Sequence, residues 1–68
     1  MTEFIVKNLQ TNEEKTYLTI TDIVKYFKDN EKYKIPNFIK ETLKNGSGIT
    51  IETPSGKYQI NKRIINND

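Results

Sequence analysis

TITDIVKYFKDNEKYKIPNFIKETLKNG, residues 19–46, decides the fold, because two helical periods fall inside it. Thr19 stands where an N-cap belongs. Asp22 follows three residues later in the capping-box pattern, and Leu18 and Ile23 occupy the two positions of a hydrophobic staple. Ile20, Ile23, Val24 and Phe27 then recur at i, i+3, i+4 and i+7, which predicts one buried stripe with Lys25, Lys28 and Asp29 turned to water. This helix should fade at Asp29-Asn30, where helix-poor polar residues take over. Pro36 suits the first turn of a second helix and pushes Ile35 toward an extended conformation. Ile35, Phe38, Ile39 and Leu43 read as its core side, with Asn37, Lys40, Glu41 and Lys44 outside. Asn45-Gly46 ends it, glycine taking the left-handed position at little steric cost.

On either side the period changes from helix to strand. Phe4 to Leu9 and Lys15 to Leu18 are rich in β-formers and flank Thr11-Asn12-Glu13-Glu14, so they predict a first hairpin. Phe4 and Val6 share one face of it, Ile5 and Leu9 the other. Ile49 to Thr53 alternates and runs into Pro54-Ser55-Gly56, a short turn, with Lys57 to Ile60 returning as partner. Ile64 and Ile65, being adjacent, point to opposite faces if that strand continues.

The expected fold is a single α+β domain over residues 1–65: hairpin, two short helices in a helix-turn-helix-like pair, hairpin, with 66–68 as a frayed tail. A winged helix-turn-helix is the favoured description. A β-grasp-like sheet crossed by one main helix, with residues 32–45 a lesser helix or loop, is the alternative. A 68-residue chain buries only ~60% of its unfolded surface, which leaves room for one core. With zero Cys and zero His, that core rests on packing alone and no thiolate or imidazole metal site is available. No run reaches the roughly 18 apolar residues of a membrane span, and the N-terminus lacks a basic region leading into an apolar one. A cytoplasmic protein without cofactor, metal or membrane partner is the expectation.

Net charge is only +2, but it is unevenly spread. Residues 1–24 set Lys7 and Lys15 against Glu3, Glu13, Glu14 and Asp22, giving −2. Residues 25–44 set Lys25, Lys28, Lys32, Lys34, Lys40 and Lys44 against Asp29, Glu31 and Glu41, giving +3. A local basic footprint of this kind points to a polyanion. In a helix-turn-helix the second helix lies in the major groove, which would bring Asn37, Lys40, Glu41 and Lys44 to base edges or phosphates. The connection from Asn30 to Lys34 is longer than the usual three or four residues. Lys57, Lys62 and Arg63 follow on or beyond the final hairpin with no acid between them, and would grip the backbone as a wing does. Each position has a plainer reading: Lys40 and Lys44 as a solvated helix face, Asn37 as a helix-start residue, and Lys57 as an edge-strand charge that discourages aggregation.

Tyr17, Tyr26, Tyr33 and Tyr58 have the chemistry to stack on unpaired bases, but their spacing forms no platform, and partial burial with a wet hydroxyl is the commoner fate of tyrosine. Catalysis is not expected. The carboxylates are scattered, and the only glycine cluster, Gly46-Ser47-Gly48, precedes a strand rather than a helix.

The order strand, Thr19-Ile20-Thr21-Asp22-Ile23-Val24, second helix from Ile35 through Leu43, then Ile49-Thr50-Ile51 resembles the modular DNA-binding repeat found beside the catalytic domains of intron-encoded homing nucleases. The likeness covers residues 4–51. It implies DNA contact through the second helix at Asn37, Lys40 and Lys44. No nuclease motif accompanies it, and the Lys28 to Lys34 segment is longer and more charged than that family's turn. In size and in its Lys/Asn/Ile-rich style the chain also resembles small accessory proteins of phages infecting low-GC Gram-positive bacteria.

The resulting expectation is a non-catalytic, regulatory DNA-binding protein, allowing a homodimer, that uses Lys34, Asn37, Lys40, Lys44, Lys57, Lys62 and Arg63. The alternative is a small module or inhibitor acting on a host protein, for instance through an exposed strand edge. Lysines gathered on one face would favour DNA. An exposed patch of Ile5, Leu9, Tyr58 or Ile65 would favour a protein partner.

Overall fold

Alternation along the N-terminal strand sets the architecture in the computed structural model, which describes residues 2–65. Phe4 and Val6 are buried on one face while Ile5 turns to the other. This strand, β1 (Thr2–Asn8), pairs antiparallel with β2 (Glu14–Tyr17) on one side and with β4 (Gly56–Ile64) on the other. β3 (Ile49–Thr53) completes a four-stranded antiparallel sheet in the order β2-β1-β4-β3. Helices α1 (Ile20–Asn30) and α2 (Asn37–Lys44) join one edge to the other and cover a single face. The α+β class is as expected. The final hairpin, however, is not a free-standing wing, because β4 lies inside the sheet and pairs with β1 from Thr2↔Ile64 to Asn8↔Tyr58. Nor does one helix carry the packing, since each of the two contributes two buried residues. The expected tail, 66–68, lies outside the described residues.

The core is one cluster. Phe4, Val6, Ile51, Tyr58 and Ile60 rise from the sheet, Ile23 and Phe27 descend from α1, Ile39 and Leu43 from α2, and Ile35 from the connection between the helices. Phe27 lies at its aromatic centre, its ring 5.1 Å from Tyr58 and 5.2 Å from Tyr26 in edge-on contacts, the geometry that ring quadrupoles favour.

Local signals held where they rest on backbone chemistry. The Thr19 hydroxyl accepts the Asp22 amide at 3.1 Å and caps α1. At the end of α2, Gly46 adopts φ +85°. Its amide donates to the Leu43 carbonyl and the Ser47 amide to the Thr42 carbonyl, the paired bonds of a Schellman motif.

Two apolar assignments did not hold. Leu18 is 61% exposed and Phe38 66%, so neither the staple nor the fourth core residue of α2 is realised. Phe38 precedes the buried Ile39 by one position, a turn of ~100° around the helix axis. A face centred on Ile39 and Leu43 therefore leaves it out.

The helix connection runs over six residues, 31–36, longer than a compact helix-turn-helix. Lys32 within it adopts φ 54°, a left-handed conformation that a Cβ makes costly. Lys32→Gly is therefore expected to raise stability by about 0.5–1 kcal/mol, read as an increase in the urea midpoint at unchanged slope. A fall in the midpoint would show that the lysine side chain outweighs its backbone strain.

Candidate functional site

α1 and α2 cover the sheet with a groove between them, and sequence spacing decides what lines it. On α2, Lys40 and Lys44 at i, i+4 stand together on the flank toward α1, and Asn37 at i−3 from Lys40 shares that side. On α1, Ile20 and Val24 are the half-buried shoulder of the apolar stripe, with Lys28 one turn beyond. The groove consists of two adjoining hollows that share Val24 and Lys40. One, about 280 Å³, is lined by Ile20, Thr21, Val24, Lys40 and Lys44. The other, about 410 Å³, is lined by Val24, Lys28, Lys34, Ile35 and Lys40. Four lysines thus border an apolar floor, and no acidic side chain lines either hollow.

Among the described residues, Lys28, Lys34 and Lys40 make no ion pair. Lys44 approaches Glu41 at 3.7 Å, but both side chains are well exposed and such a pair contributes only ~0–1 kcal/mol. Lys62, on the helix side of β4, donates from Nζ to the Lys44 carbonyl at 3.2 Å, placing a fifth cation at the C-terminal end of α2.

The remaining predicted residues lie elsewhere. Lys62 and Arg63 are neighbours on a strand and so point to opposite faces. Arg63 joins Lys57 on the sheet face away from the helices. There each charge meets its opposite across the ladder: Glu3↔Arg63, Lys7↔Glu14 and Glu52↔Lys57. Arg63 donates from both Nε and Nη2 to Glu3 Oε1, and Glu3 is only 7% exposed. Cross-strand pairs of this kind stabilise a sheet; Arg63 is ion-paired with Glu3, while Lys57 stands across the ladder from Glu52. Asn37 is the exposed first residue of α2, as its plainer reading as a helix-start residue expects, but no side chain makes a cap hydrogen bond there. The structure therefore gathers Lys34, Lys40, Lys44 and Lys62, leaves Asn37 outside the lining of both hollows, and separates Lys57 and Arg63. Sequence reasoning missed Lys28 because it marked that residue only as water-facing, although its i+4 relation to Val24 puts it on the groove flank.

The tyrosines are structural. Tyr17, Tyr26 and Tyr33 are half-buried and Tyr58 is 6% exposed. Tyr17, Tyr26 and Tyr58 border a hollow of about 50 Å³ in which Lys15 lies 5.0 Å over the Tyr26 ring. That space holds little more than water. No group of three or more potential metal-ligating acidic, histidine or cysteine side chains is gathered among the described residues. No helix among them is long and apolar enough to cross a membrane.

Tyr58 donates its hydroxyl to Glu31 Oε1 at 2.5 Å, tying β4 to the C-cap of α1. Hydrogen bonds from Ser55 and then Tyr58, with the Lys15 charge, hold the Glu31 carboxyl below its ordinary value. Burial, then the bond to Glu31 and its charge, push the Tyr58 phenol up to about 12. A depressed carboxyl contributes stability above its unfolded pKa of roughly 4.3 and loses it as pH falls through the folded value. A raised phenol contributes below its unfolded pKa near 10 and loses that contribution as pH climbs toward about 12. Melting temperature against pH should therefore fall at both ends. Glu31→Gln is expected to flatten the acid limb, and Tyr58→Phe to diminish the alkaline one while Tyr17, also raised by burial, retains part of it. Unchanged limbs in both variants would contradict this assignment.

No protein-family model, curated protein or solved structure matches this chain.

Proposed function

We propose that this chain is a non-catalytic DNA-binding protein that holds the nucleic-acid backbone with the lysines of its helical side. One observation carries the reading: Lys28, Lys34, Lys40 and Lys44 border one groove that no acidic side chain lines. Cations arranged in this way neutralise phosphates and release the counterions condensed on the nucleic acid. In this reading α1, the 31–36 connection and α2 are a helix-turn-helix-like pair. β4 of the final hairpin contributes Lys62, while Lys57 and Arg63 are withdrawn from the contact set. A regulatory role and a dimeric form, which would enlarge the small contact surface of one module, belong to the same proposal.

The test is fluorescence anisotropy with labelled DNA at two salt concentrations. Binding should weaken steeply as salt rises. No binding even at low salt would overturn the reading.

A protein-binding module is favoured instead by the exposure of Phe38, Leu18 and Ile64. These lie on α2, in the β2–α1 connection and near the end of β4, on three separate parts of the chain. Of the residues whose exposure would have marked a protein-binding patch, Leu9 is exposed and Tyr58 is buried.

A further inference from the structure

We infer that the groove between α1 and α2 takes a single DNA strand rather than a duplex, an inference that rests on the DNA-binding reading. Reading a duplex major groove needs a convex, protruding helix with its polar crest turned to the bases. The crest of α2 does not fit that task. Glu41 stands there with its side chain 68% exposed, and Phe38 projects beside it with no base-edge donor or acceptor. The cations are instead set back on a concave surface, with Lys40 half-buried where the two hollows meet.

The floor of the groove also favours a single strand. Ile20 and Val24 present half-buried apolar side chains there, over a fully buried Ile35 that is 1% exposed. A duplex offers its outer, sugar-phosphate surface to a concave groove and leaves such a floor covered by charge. A single strand has unpaired bases, whose faces are apolar while its phosphates are anionic. It therefore satisfies floor and rim together. The opposite sheet face is a poorer track, because each of Lys7, Lys57 and Arg63 stands across the ladder from a carboxylate, at Glu14, Glu52 and Glu3, and Arg63 is ion-paired with its own.

The probes are one labelled mixed-sequence oligodeoxynucleotide, the same strand annealed to its complement, and a poly-glutamate competitor, titrated by anisotropy against the full chain. The single strand should bind at least about tenfold more tightly than the duplex. With four lysines engaged, its affinity should vary with salt at a log-log slope of roughly −2.8, falling in size by about 0.7 in Lys40→Gln. A thermal melt of Lys40→Gln matching the parent separates lost contact from lost fold. Duplex binding equal to or tighter than the single strand overturns this inference and leaves DNA binding standing. Poly-glutamate displacing the strand at equal charge concentration also overturns it, because the groove would then take any polyanion. Absence of binding to either DNA overturns the inference and the DNA-binding reading together.

Discussion

Phe27→Ala is expected to leave most of the chain unfolded at room temperature in mild denaturant. Truncating a buried phenylalanine costs about 3–5 kcal/mol, from lost transfer energy and from the cavity left behind. A chain of 68 residues has a total stability of only about 3–10 kcal/mol by the usual per-residue range. Phe27 is 0% exposed and touches Tyr26, Tyr33 and Tyr58, so collapse into its space would have to move α1, the helix connection and β4 at once. Far-ultraviolet circular dichroism in a urea series checks this. A midpoint within a few tenths of a molar of the parent would mean that the aromatic cluster does not organise the fold. The contrast is Phe38→Ala, which removes a ring that is 66% exposed and should leave the midpoint nearly unchanged.

The second large effect is on binding. Changing Lys28, Lys34, Lys40 and Lys44 together to glutamine keeps polar stems over the groove floor and removes four charges. Counterion release at roughly 0.7 log units of slope per single-strand contact puts the loss near 10²–10³-fold at about 0.1 M salt. Lys57→Gln with Arg63→Gln, matched for charge type on the opposite face, is expected to change affinity by less than about threefold, since distant charges are screened beyond ~10 Å. Anisotropy titrations of both variants decide the matter. Equal losses would show that net charge, rather than the groove, drives association.

Much of the fold was legible because the deciding signals are local. Thr19 and Asp22 form a cap through their own spacing, and Gly46 ends α2 because its backbone takes a conformation that side chains resist. The strand period placed Phe4 and Val6 on one face without reference to the rest of the chain, whereas Tyr58, a candidate for an exposed patch in the sequence, proves to be buried. What stayed hidden depends on partners distant in sequence. Phe38 reads as core from hydropathy alone. Only the direction in which α2 meets the sheet shows that Ile39 and Leu43 take the contact and Phe38 does not. Similarly, the adjacency of Lys62 and Arg63 looks like one basic patch until β4 is placed inside the sheet. The pleat then sends one toward α2 and the other to Glu3, sixty residues away in the chain. The groove itself has no sequence signature, since Lys28 comes to Lys34 and Lys40 only through the packing of two helices on a shared sheet.

The most direct measurement is an amide chemical-shift titration of the isotope-labelled chain with an unlabelled DNA single strand. Perturbations should concentrate on the groove, at Ile20 to Lys28, Lys34 to Lys44 and Lys62, while Lys7, Glu14, Thr50, Glu52 and Lys57 on the far sheet face stay in place. Shifts centred on that far face, or no shifts at saturating DNA in low salt, would contradict this expectation.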